Sequence, residues 1–273
     1  IYGVEILVAT PGRLIDMMYQ RVLHFDELEI LVLDEADKML DMGFIYDIEK
    51  IIDRLPSQRQ SLLFSATLTK EVRFLADTVN EDAVEISVPP SSATTPKINQ
   101  WLITVDKDKK SALLSHLIKQ QQWDRALIFI DKKHAAAKLV SQLEKRGIIA
   151  EAIHGGRSQA VRERILADFK SGELKFLVAT GIASRGIDIE NMTRVVNYDL
   201  PYDSDDYIHR IGRTGRAGAS GEAISFVSND NFKNLCAIES RLGHIITRKE
   251  IEGFEVKKVV PVSILNFVPK HKR

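Results

Sequence analysis

The chain has 273 residues, 44% of them hydrophobic, with 38 Lys and Arg against 38 Asp and Glu and a single cysteine. This composition fits a globular protein of one large domain or two of about 100–150 residues, and it excludes a disulfide framework, a collagen and a disordered chain. No apolar run approaches the roughly 18 residues of a membrane helix and the N-terminus has no signal-peptide layout, so a reducing, cytoplasmic setting without a membrane is expected.

In chain order, the first strand-like run is residues 4–9, followed by Thr10-Pro11-Gly12-Arg13. A helix start with a hydroxyl, a glycine and an arginine is a ready anion site; a proline-led helix start is also common for purely structural reasons. Residues 30–33 form an apolar strand that ends in Asp34-Glu35-Ala36-Asp37. In parallel α/β sheets, ligands sit at the carboxyl ends of strands. Nucleoside triphosphate hydrolysis needs one carboxylate to hold Mg²⁺, usually through water, and a second to orient or deprotonate the attacking water. That chemistry assigns Asp34 to the metal and Glu35 to the water. Acids at a helix N-terminus also favour the dipole, so the pair alone leaves both readings open. A helical pattern over 45–55 leads to a strand at 61–64 and then to Ser65-Ala66-Thr67. These small residues suit hydrogen bonds to neighbouring site groups, or a cap for the helix expected over 71–79.

Residues 88–96 hold three prolines and four hydroxyl residues and no charge, the composition of a linker. Residues 1–96 carry 8 basic and 17 acidic side chains, a net of −9, whereas 97–273 carry 30 and 21, a net of +9. The asymmetry suits a polyanion-binding half as well as it suits two solvated surfaces. Beyond the linker, helical patterns over 109–119, 135–145 and 162–169 alternate with strand-like runs at 126–130, 176–179 and 195–198. Continuous apolar strands alternating with helices predict parallel sheets covered on both faces, so the fold class is α/β in two units.

The strand at 176–179 runs into Thr180-Gly181-Ile182-Ala183-Ser184-Arg185-Gly186-Ile187-Asp188. Its glycines allow close approach of a ligand to the backbone and Asp188 could accept from a sugar hydroxyl; a loop closed by an Arg185–Asp188 salt bridge fits equally. In His209-Arg210-Ile211-Gly212-Arg213-Thr214-Gly215-Arg216, three arginines within seven residues are hard to justify as packing. Arginine presents a rigid fork of donors matched to phosphate oxygens, which suits a transferring γ-phosphoryl group or an RNA-binding patch. Cys236 falls in a helical stretch, 232–242, as a small buried residue. Residues 256–273 carry Lys257, Lys258, Lys270, Lys272 and Arg273 and no acid, a tail that suits nonspecific RNA affinity or a soluble terminus.

Taken together, Asp34–Asp37, Ser65–Thr67 and 209–216 closely resemble, in order and spacing, the DEAD-box RNA helicases of superfamily 2, over residues 3–245. The resemblance implies two RecA-like parallel-sheet domains, the first incomplete, that bind ATP, Mg²⁺ and single-stranded RNA and locally unwind duplex RNA. The expected boundaries are 1–87, a linker at 88–97, 98–245, and a basic extension at 246–273. Asp34 and Glu35 keep their metal and water roles, Arg213 and Arg216 would be arginine fingers, and Gly186 and Asp188 would touch the nucleotide. Thr10, Gly12 and Arg13 would contact RNA phosphates from the first domain, and Gln159, Arg162 and Thr180 from the second. Asp37, Ser65, Thr67 and His209 would couple hydrolysis to domain closure. A monomer with ribonucleoprotein partners is expected.

The pattern has departures. Residues 127–131 lack the threonine or asparagine the family often has two positions after Phe129, and Gly181 and Ser184 stand where Asp or Asn and Ala are common. No Gly-x-x-x-x-Gly-Lys-Ser/Thr loop occurs, nor any Gly-Lys pair. The family's loop lies N-terminal to this region, so the chain is expected to be a fragment, inactive alone. The alternatives are a non-catalytic RNA-binding or scaffold module of the same fold, and a DNA translocase.

Overall fold

The computed structural model describes residues 4–80, 82–87, 98–181, 189, 192–215 and 221–265, and the chain divides into two compact units, Ile1–Pro89 and Pro90–Arg273. The linker, Gly186, Asp188, Arg216 and the basic residues of the tail beyond 265 lie outside the described residues.

The first unit has two parallel strands, β1 (Ile30–Leu33) and β2 (Gln60–Leu63), with Leu33 opposite Leu63. Helices α1 (Pro11–Tyr19), α2 (Ala36–Asp41), α3 (Ile45–Ile52) and α4 (Lys70–Val79) accompany them. Strand alternation turns Leu31, Leu33 and Leu63 toward Ile48 of α3 and Val72 and Leu75 of α4. Thr69 Oγ1 caps α4 by accepting from Val72 N at 3.3 Å. The opposite face stays open: Ile30, Val32 and Phe64 are each more than half exposed. The strand expected at 4–9 does not form, and Val4, Ile6 and Val8 are exposed. A strand exists through hydrogen bonds to a neighbour, and no described residue pairs with this segment, whatever its apolar pattern.

The second unit is built on a seven-stranded, all-parallel sheet. Its strands are β3 (Ile98–Thr104), β4 (Ala126–Ile130), β5 (Ala150–Ile153), β6 (Phe176–Thr180), β7 (Arg194–Asn197), β8 (Gly221–Val227) and β9 (Thr247–Lys249), in the order β5-β6-β4-β7-β8-β3-β9. The helices are α5 (Lys110–Gln120), α6 (Lys133–Glu144), α7 (Gln159–Ser171), α8 (Ser204–Ile211) and α9 (Phe232–Leu242). Every residue of β4 and β6 is buried, as a sheet covered on both faces requires. Alternate residues serve opposite faces. Ile128 and Ile130 pack with Leu114 of α5 and Leu139 of α6, while Leu127 and Phe129 pack with Ile165 and Phe169 of α7. Leu102 and Ala223 meet Tyr207 of α8 and Leu235 of α9. Cys236 is buried in α9.

β9 follows the boundary expected at 245, yet it pairs with β3, and Val260 joins the core with Ile246. Close packing explains Gly221 at the start of β8: a Cβ there would overlap Thr214 Oγ1 and Gly215 N. Gly221→Ala should therefore destabilise the second unit by about 1–3 kcal/mol, read as a lower thermal midpoint. Among the described residues no helix is long and apolar enough to cross a membrane.

Candidate active site

In the first unit the β1–β2 register sets residues 34–37 beside 64–67. Ala36 N donates to Phe64 O at 3.0 Å, and Ala36 is fully buried, so this junction admits only a small side chain. Asp37 Oδ2 accepts from both Thr67 N and Thr67 Oγ1 at 3.1 Å. Ser65 Oγ donates to Thr67 O at 2.7 Å. The residues predicted from two separate motifs, Asp37, Ser65 and Thr67, thus form one bonded group.

Asp34 and Glu35 lie at the carboxyl end of β1 with their side chains exposed. Asp34 Oδ1 accepts from Glu35 N at 2.8 Å. Glu35 holds φ 53° and ψ 47°, the left-handed region that a non-glycine residue adopts at a cost, and Oε1 pairs with Lys38 Nζ at 2.5 Å. Both carboxylates can meet a solvent-borne ligand. Among the described residues no three metal-ligating side chains gather.

Thr10 precedes α1 with extended backbone, and Pro11 opens the helix. The Thr10 side chain makes no capping bond, Gly12 has open space around it, and Arg13 Nη1 pairs with Asp16 at 2.6 Å. These residues follow an extended segment rather than the expected strand.

In the second unit, Thr180 ends β6 opposite Ile130 of β4 and is nearly buried. Gln159 and Arg162 come together in the first turn of α7, Arg162 Nη1 donating to Gln159 Oε1 at 3.2 Å. Near them in sequence, His154 Nδ1 accepts from Gly156 N at 3.2 Å. Partial burial and then Arg157, Lys133 and His134 hold the His154 pKa down. Lys133 and His134 begin α6 and were not singled out by sequence; the fold adds them to the basic surface.

His209 lies in the last turn of α8. Of the three arginines held hard to justify as packing, Arg210 is packed. It is 5% exposed, Nε and Nη2 both donate to Asp206 Oδ2 at 3.1 and 2.9 Å, and its guanidinium stands 5.1 Å from the Phe129 ring centre. Burial pulls its pKa down against the carboxylates of Asp206, Asp131 and Asp199. Arg213 follows the helix, half-buried, with its amide on Arg210 O at 3.2 Å and its carbonyl accepting from Met192 N at 3.1 Å. Thr214, fully buried, donates through Oγ1 to Met192 O.

The sequence matches the DEAD/DEAH box helicase model over residues 1–75 and the helicase conserved C-terminal domain model over 108–218. It is 42% identical to the ATP-dependent RNA helicase RhlB of Salmonella paratyphi B over 99% of this chain, and spans 63% of that relative. Among solved structures, S. cerevisiae Dbp5 bound to RNA and ADP BeF3 is 35% identical with a TM-score of 0.78, over 88% of this chain and 64% of that one. The E. coli DEAD-box protein SrmB, bound to regulator of ribonuclease activity A, is 35% identical with a TM-score of 0.58, over 61% of this chain and 99% of that one. With Asp37, Ser65 and Thr67 bonded as one group and both helicase models matched, the chain belongs to the DEAD-box RNA helicases of superfamily 2.

Proposed function

We propose that the chain supplies most of an ATP-dependent RNA helicase core that holds RNA by its backbone and locally unwinds duplexes. The observation that carries this reading is the bonded group of Asp37, Ser65 and Thr67 behind the solvent-facing Asp34 and Glu35. Asp34 would hold Mg²⁺, usually through water, and the ion would supply neutralisation of phosphate charge when bound with ATP. Glu35 orients the attacking water and takes its proton. Arg213 and Arg216 spread donors over the phosphoryl oxygens, and Gly186 and Asp188 touch the nucleotide. Asp37, Ser65, Thr67 and His209 couple hydrolysis to domain closure. The domains are 1–87 and 98–245, joined by 88–97, with 246–273 as a basic extension stitched to the sheet by β9.

RNA phosphates are met by Thr10, Gly12 and Arg13 in the first domain and by Gln159, Arg162 and Thr180 in the second. Backbone contacts release counterions, so affinity for a labelled single-stranded RNA should fall steeply with salt and depend little on base sequence. Arg162→Ala should weaken binding alike on all sequences and lower the log–log salt slope by about 0.7. Salt-independent binding, or strong sequence preference, would refute the backbone reading. A second reading is a non-catalytic RNA-binding module of the same fold; ATP turnover separates the two.

A further inference from the structure

Lys110, the first residue of α5, is 2% exposed. A cation there meets the unfavourable end of the helix dipole, and burial works against its charge. What compensates is a chain of bonds at the carboxyl ends of β4 and β7. Lys110 Nζ donates to Tyr198 O at 2.7 Å and to Asp199 Oδ1 at 3.0 Å. Asp199 Oδ2 accepts from Asp131 N at 3.2 Å, and Asp199 O accepts from Arg210 Nη1 at 3.0 Å. Arg210 closes the chain on Asp206. A Cβ at Gly181, just past β6, would lie 3.5 Å from Arg210 Nη2. Four elements, α5, β4, β7 and α8, are tied together by these bonds, and the residue after β6 abuts them.

Hydrophobic residues of similar volume would hold such a junction at least as firmly as buried ions. What the ions add is direction: a forked guanidinium bonded to two partners has one orientation. Arg210 sits between His209 and Arg213, and its own carbonyl receives the Arg213 amide. We propose that Lys110 and Arg210 are positioning residues, and that the chain Lys110–Asp199–Arg210–Asp206 fixes the last turn of α8 and so aims His209 and Arg213. The catalytic part of this inference rests on the function proposed above; the mechanical part does not.

Two readouts test it. In the chain itself, Lys110→Met combined with Asp199→Asn replaces the ion pair by groups of similar shape. Amide exchange over residues 208–214 should then quicken on the order of tenfold while β4 and β6 keep their protection. Arg210→Lys keeps the charge and loses the fork, and should do the same; it carries the reading should the double variant not fold. In the chain fused behind a phosphate-loop segment from a relative, both variants should lower kcat by about 10²-fold with KM for ATP and RNA little changed. Unchanged exchange at 208–214, or exchange rising equally through the whole second unit, would overturn the proposal, as would an unaltered kcat in an active fusion. A fusion with no RNA-stimulated turnover before any substitution would refute the function reading instead, and the exchange result would still decide the positioning role.

Discussion

Fused behind a segment carrying a Gly-x-x-x-x-Gly-Lys-Thr loop, the chain should hydrolyse ATP in response to RNA, and Glu35→Gln should lower kcat by about 10²–10⁴-fold, the range a positioned general base contributes. The substitution keeps the shape of the side chain and removes the proton acceptor. Glu35 lies at the end of β1 with its carboxylate reachable from solvent, and its nearest cation, Lys38, is on the following turn. KM for ATP should change little, because Asp34 and the phosphate loop still bind the nucleotide. The chain without the added segment should show negligible turnover, because backbone amides and a lysine that cradle the phosphates are absent from its sequence. Steady-state hydrolysis by the chain alone, abolished by Glu35→Gln, would contradict this.

Arg213→Ala should have the larger effect, a fall in kcat of about 10³–10⁵-fold, as for removal of an arginine that neutralises a transferring phosphoryl group. The backbone of Arg213 is anchored on both sides, to Arg210 O and Met192 N, so truncating the side chain should leave the local fold intact. The thermal midpoint should move little, which separates this variant from Gly221→Ala. Arg213→Lys should recover only part of the rate, since a lysine offers a point charge without the planar fork. An Arg213→Ala fusion that turns over at the unmutated rate would remove the residue from the mechanism.

What the sequence disclosed depended on how local each signal was. The strands β1, β4 and β6 were legible because they are short, almost wholly apolar runs, and α9 because Phe232, Leu235, Cys236 and Leu242 recur at helical spacing. β5, Ala-Glu-Ala-Ile, carries too little apolar weight to be read as a strand, and in β3 polar Asn99 and Gln100 follow Ile98 and break the apolar run. Residues 4–9 erred the other way: the apolar pattern was present, and no described residue pairs with them. At the site, Asp34–Asp37 and Ser65–Thr67 were visible as contiguous runs, and parallel pairing of the strands before them accounts for their meeting. That Arg210 is packed was not legible, because composition does not distinguish a surface arginine from one buried on Asp206. The Lys110–Asp199 pair was invisible because its partners are 89 positions apart, and neither belongs to a motif.

The left-handed backbone at Glu35 bears on protein engineering. A non-glycine residue held there costs on the order of 1–3 kcal/mol, so a procedure that chooses amino acids only for compatibility with this backbone would favour glycine or asparagine at the position. Such a redesign would yield a better-behaved first unit and discard the carboxylate proposed to activate water. Stabilising this protein by consensus with its own geometry would therefore require position 35 to be exempted.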